Sequence, residues 1–169
     1  ATVGAIAPAP DNSLYITGAA IVLLFGAIGL VAATFHLGHP LRAWRSAAMW
    51  RTSWLSREVI VLPLFMACVV GWMASHATDY ITVGWGLACA ALALLLYVCT
   101  GMIYAAVKAI REWATPMTPI NYMLLGIASG LLLCTALAAL LEPRLAPALV
   151  VATLIALPIA AVSPPISAA

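Results

Sequence analysis

Two titratable side chains bracket a short basic stretch: His36 precedes it and Glu58 follows it. Between them lie His39 and Arg42, Arg45, Arg51 and Arg57, four of the chain's seven basic residues. On either side the sequence is apolar for about the thickness of a bilayer. A polar cluster so placed must face water, a partner or a polar ligand, and such groups are expensive and usually functional. His36 closes one apolar run and Glu58 opens the next, so both belong near one membrane face and can approach each other. Histidine titrates near neutrality. A carboxylate in a partly dry setting has its pKa raised and can exchange protons in the same range. A histidine, a carboxylate and arginines at one interface suit a quinone. Quinol oxidation releases two protons with two electrons, each ring oxygen needs a hydrogen-bond partner, and arginine favours negative charge on such an oxygen.

Plainer roles exist for each residue. His36 can cap the C-terminus of a helix. Glu58 suits the first turn of the next helix, after Ser56 as its N-cap, where the helix dipole favours an acid. Arg42 and Arg45 can read lipid phosphate, and Trp44, Trp50, Trp54 and Trp113 fit an interfacial aromatic belt. A bis-histidine haem needs two histidines at similar depth on neighbouring helices. His36 and His76 fall at opposite faces, so no haem is expected. The four cysteines (Cys68, Cys89, Cys99, Cys134) lie in apolar runs without metal-ligand spacing, so no metal is expected.

Positioning these residues falls to membrane-spanning helices. Of 169 residues, 66% are hydrophobic and 7% charged, with a mean hydropathy of +1.13. Soluble domains carry roughly 25% charged residues, so a soluble fold is excluded. Nucleic-acid binding is excluded too, because no basic stripe exists outside the loops. The fold class is all-α and integral to the membrane, a bundle of about five transmembrane helices. A span needs about 20 apolar residues. Candidates are 15–35, 59–75, 80–107, 120–141 and the shorter 146–162, which contains Pro158. Residues 1–14 and 163–169 read as tails. No signal peptide is read at the start, and the end lacks a domain boundary.

Connections alternate between two faces. One carries the loops 36–58 and 108–119, with Arg42, Arg45, Arg51, Arg57, Lys108 and Arg111. The other carries Arg144 alone. The positive-inside rule makes the first face cytoplasmic, in a multi-pass protein of a bacterial inner (plasma) membrane. Gly18, Gly26 and Gly29 are expected to permit close helix packing. Pro63 is expected in the tolerant first turn of its helix. Thr118 and Pro119 are expected at the N-cap and first position of another.

The run HLGHPLRAWRSAAMWRTSWLSREV resembles the membrane anchor subunit of dimethyl sulfoxide reductase-type molybdoenzymes, the DmsC family. HLGxPxRAW follows a transmembrane helix, then comes a tryptophan-rich arginine loop, then SxE opening the next helix. Trp113 to Pro119, ending in TPMTP, resembles that family's turn between helices. The resemblance covers roughly residues 15–140 of what is usually an eight-helix anchor, so this chain reads as part of a longer one.

The resemblance implies a quinone-exchanging anchor, holding an iron–sulfur subunit and a molybdopterin catalytic subunit at the membrane and binding no metal itself. Its quinone (ubiquinone or menaquinone) would exchange electrons with the nearest partner cluster. The family's quinol-site histidine and glutamate fall on His36 and Glu58, and its arginine on Arg42. Arg57 replaces a common amide, and either pairs with Glu58 or tunes its pKa. Arg45, Arg51, Trp54 and Arg57 would line the site or dock the partner. The wording is nearest to dimethyl sulfoxide reductase and sulfite:quinone oxidoreductase anchors. Arginine-loop placement favours the sulfite-oxidising type. The rivals are a purely structural anchor and a small transporter. The transporter is disfavoured because the helix centres hold no charge.

Overall fold

Long apolar runs separated by short segments with Pro, Gly, Thr and charge can satisfy their backbones in lipid only as helices. A computed structural model describes residues 12–35, 40–78, 83–111 and 113–162, with side chains from residue 45 onward in the second stretch. In order it contains α1 (Asn12–Phe35), a 3-10 segment (Pro40–Met49), α2 (Trp54–Ala77), α3 (Val83–Ala105), α4 (Met117–Leu141) and α5 (Ala146–Val162). Every element among the described residues is helical, and α1 to α4 are long and apolar enough to cross a membrane.

Each helix packs on the next, α1 also meets α4, and the 3-10 segment rests on α1 and α2. Four helices therefore close a ring, with α5 against α4. The buried apolar residues are mostly small: Ala19, Cys99, Ala128, Ala138 and Ala160, with Val61 and Val69. Leu24, Phe25, Ile28, Leu140 and Leu154 lie on the outside. This inversion of the soluble pattern follows from the solvent. Lipid tails are as apolar as leucine, so close backbone approach, not removal of large apolar groups, holds the helices together. Gly101 is the clearest case, since a Cβ there would lie 2.5 Å from the Cα of Pro119. Polar contacts add to it: Thr135 Oγ1 and Thr153 Oγ1 meet at 2.9 Å between α4 and α5.

Several local expectations are corrected. Helix α2 starts at Trp54, not Val59, and Ser53 caps it in place of Ser56. Ser53 has extended backbone (φ −113°, ψ 125°), and the Ser56 N–H donates to its Oγ at 3.4 Å. With that earlier start, Pro63 lies well inside α2 and removes the N–H that would bond the Val59 carbonyl. Thr118 does not cap α4. Pro116 precedes that helix, and Thr118 Oγ1 donates to the Trp113 carbonyl at 2.8 Å. Of the three glycines expected at packing contacts, Gly26 meets Met66 at 3.4 Å, whereas Cβ atoms at Gly18 and Gly29 would meet nothing within 4 Å.

Candidate functional site

The early start of α2 places Glu58 a turn inside the helix, with its carboxylate against α3. Thr100 Oγ1 donates to Glu58 Oε1 at 2.8 Å. One oxygen of the carboxylate is thereby held, and the other keeps its capacity to accept or carry a proton. The Cys99 thiol and the Tyr122 hydroxyl lie within electrostatic reach of this carboxylate. Tyr122 on α4 stacks on Tyr104 of α3 (centroids 5.1 Å apart, planes at 15°). Trp113 meets Tyr104 edge-on at 5.4 Å. The connection carrying Trp113 is tied down by Thr118, and the α3–α4 crossing is fixed by Gly101 against Pro119. A carboxylate thus stands beside an aromatic wall built from three chain segments. At the same end, Thr115 Oγ1 and Asn121 Oδ1 are buried without a hydrogen-bond partner among the described residues. Unpaired buried polar atoms are costly, and both can meet the hydroxyl of an entering ligand.

Arg57 does not pair with Glu58. Its Nε donates to the Trp50 carbonyl and its Nη2 to the Arg51 carbonyl, each at 3.0 Å. Its guanidinium lies 4.1 Å from the Trp54 ring centroid. It staples the turn before α2 onto that helix. Trp54 is the platform under it, and Arg51 sits over Trp50 at 5.4 Å. Arg45 and Arg51 are exposed. The backbone of Arg42 lies in the 3-10 segment, while its side chain and all of His36 and His39 lie outside the described residues.

Thr100, Tyr104 and Tyr122 were missed by reasoning from the sequence, because each sits in a run that reads only as apolar span. A hydroxyl one helix away from a carboxylate has no spacing signature. The one usable hint was that Thr100 and Tyr104 share a face of α3 at i, i+4.

The bundle and this end of it define a multi-pass helical membrane protein with a braced carboxylate at an arginine-rich end. The chain belongs to the DMSO reductase anchor subunit (DmsC) family, whose pattern covers residues 10–166. It is also similar to one of the sulfite dehydrogenase subunits of Allochromatium vinosum, at 45% identity over 146 residues. That match takes in 78% of this chain and 45% of the relative, so the chain spans less than half of the relative's length. No solved structure matches the chain.

Proposed function

We propose that this chain is the quinone-exchanging membrane anchor of a three-subunit molybdoenzyme, passing electrons between membrane quinone and an iron–sulfur partner subunit. The observation that carries the reading is the Thr100-held carboxylate of Glu58 beside the Tyr104–Tyr122 stack, at the end that gathers the arginines. The donor set fits a quinone: a carboxylate for one ring oxygen, flat aromatic faces for the ring, and unpaired buried acceptors for a hydroxyl. A bound quinone would supply two-electron, two-proton redox chemistry. Glu58 would hold or release the proton at its free oxygen, with Thr100 fixing the other. His36 would serve the second proton, and Arg42 would place a ring oxygen. Exposed Arg45 and Arg51 would draw the iron–sulfur subunit electrostatically, with a molybdopterin subunit beyond it. The sulfite-oxidising direction is favoured, supported by the similarity to a sulfite dehydrogenase component.

The test is the Glu58→Gln variant in the assembled complex. Loss of a general acid–base group typically costs about 10²–10⁴-fold in rate. Quinone turnover should fall within that range, while sulfite oxidation with a soluble acceptor that bypasses quinone stays unchanged. Unaltered quinone turnover in both Glu58→Gln and His36→Ala would sink the site.

A further inference from the structure

Where α4 turns into α5, the chain presents both signs of charge beside an apolar cavity. The cavity has a volume of about 590 Å³ and is walled by all five helices. Apart from the polar tips of Tyr15 and Trp72 and the thiols of Cys89 and Cys134, its lining is hydrocarbon. Such a lining gives water too few partners to settle, and while empty it forfeits dispersion contacts. A flexible alkyl chain restores those contacts and asks for no hydrogen bond. Along α1 the wall runs from Leu14 to Val22, a height of ~12 Å from the helical rise. One leaflet holds roughly 15 Å of hydrocarbon, half of a bilayer core, so the cavity is nearly as deep as a single leaflet.

The connection at 142–145 is Glu142-Pro143-Arg144-Leu145. The Leu145 N–H donates to the Glu142 carbonyl at 3.0 Å, which closes a turn with proline at the second position it favours. The Glu142 N–H donates to the Ala138 carbonyl at 2.8 Å and the Leu149 N–H to the Leu145 carbonyl at 3.2 Å, so the turn is tied to both helices. Leu145 and Leu149 line the cavity. Glu142 and Arg144 are therefore held at its rim, and no ion pair engages either of them among the described residues. Tyr15 and Trp72 stand edge to face at 5.7 Å, each against His76. Such aromatic residues sit at headgroup depth, which puts the rim at the level of lipid phosphates.

We propose that the cavity receives an acyl chain of an ethanolamine phospholipid, whose phosphate meets Arg144 and whose ammonium meets Glu142. The body selects the chain, and the turn selects the head. Guanidinium is the better cationic partner for phosphate, and a carboxylate accepts hydrogen bonds from an ammonium. The ethanolamine head carries both groups on one short link, matching a glutamate and an arginine two positions apart in a fixed turn. A glycerol head brings the phosphate charge alone and leaves Glu142 facing it. A choline head has no N–H to give to Glu142. No residue of the Glu58 reading enters this inference, which stands or falls without it.

The test places the complete complex in phosphatidylcholine nanodiscs doped with a phosphatidylethanolamine that carries a diazirine in its acyl chain. After illumination, adducts are mapped by peptide mass spectrometry. Adducts are expected on residues 14–22, 65–72 and 133–149, and several-fold fewer from phosphatidylglycerol or phosphatidylcholine probes with the same tail. Gly18 lines the cavity, and a Cβ there would meet nothing within 4 Å, so Gly18→Leu fills the space without forcing helices apart. It should cut these adducts roughly tenfold. Arg144→Gln, in an exposed turn, should cut them roughly fivefold, and Glu142→Gln should abolish the preference for ethanolamine over choline. Adducts on the outward residues Ile28 and Leu154 should persist in every variant, showing that each is folded. Equal cavity labelling by all three heads, or labelling that Arg144→Gln leaves unchanged, overturns the proposal. Labelling of the outward residues alone overturns it too, and assigns the cavity to another helix or to a partner.

Discussion

Thr100 is the residue on which the proposed chemistry of Glu58 turns. Its hydroxyl donates to Oε1 at 2.8 Å in a part-buried setting between α2 and α3. A hydrogen bond to a charged group is worth about 1.5–3 kcal/mol, and leaving the acceptor unpaired costs more than replacing both partners. Thr100→Val keeps the shape and removes the donor. Quinone kcat/KM should fall by about tenfold or more, and its pH profile should change, because the carboxylate oxygen loses the donor that holds it. Thr100→Ser should restore both. A merely structural threonine would change neither profile nor rate once the complex is assembled, so equal behaviour of Val and Ser variants would remove Thr100 from the site.

At the scale of elements, Arg57 determines how the arginine loop meets α2. Its planar fork reaches two successive carbonyls, Trp50 and Arg51, while the guanidinium lies on Trp54. Lysine is a point donor without that fork or that flat face. Arg57→Lys should loosen the turn before Ser53, and trypsin should cut after exposed Arg51 several-fold faster in the variant complex. Unchanged cleavage would mean that the turn is held by Ser53 capping alone. This staple also shows what the sequence could and could not say. The helical membrane class and the alternation of polar and apolar stretches were legible, because bilayer thickness sets a length that composition must meet. The start of α2 was not legible. Trp54 and Leu55 suit either loop or helix, and which of two serines caps the helix depends on backbone angles. Glu58 was legible as a lone carboxylate at a membrane boundary. Its partner on α3 was not, because helices that are apolar all round carry no periodic mark of which face meets which neighbour. The same lack of a mark explains why Gly101 was passed over as a packing residue while Gly18 and Gly29 were expected to be ones.

The whole molecule is asymmetric along the membrane normal. The turns and ends that hold Arg45, Arg51, Arg57, Lys108 and Arg111 gather where α1 ends, α2 begins, α3 ends and α4 begins. The other end carries Arg144 between α4 and α5, and the Tyr15–Trp72–His76 ring cluster. Short basic loops are retained on the cytoplasmic side during insertion, so the charge pattern and the candidate Glu58 site point to one face. Placing both there would also put the proposed quinone chemistry next to the surface on which a soluble electron partner would dock. The prediction is topological. Arg111 and Arg144 are both exposed, in turns outside the spans, and cysteine at either position should leave the bundle intact. A membrane-impermeant maleimide should label Arg111→Cys in inverted vesicles and not in spheroplasts, and label Arg144→Cys with the opposite preference. Labelling of Arg111→Cys from the outside would invert the molecule. It would move the Glu58 site to the far face and require any partner that takes its electrons to work there.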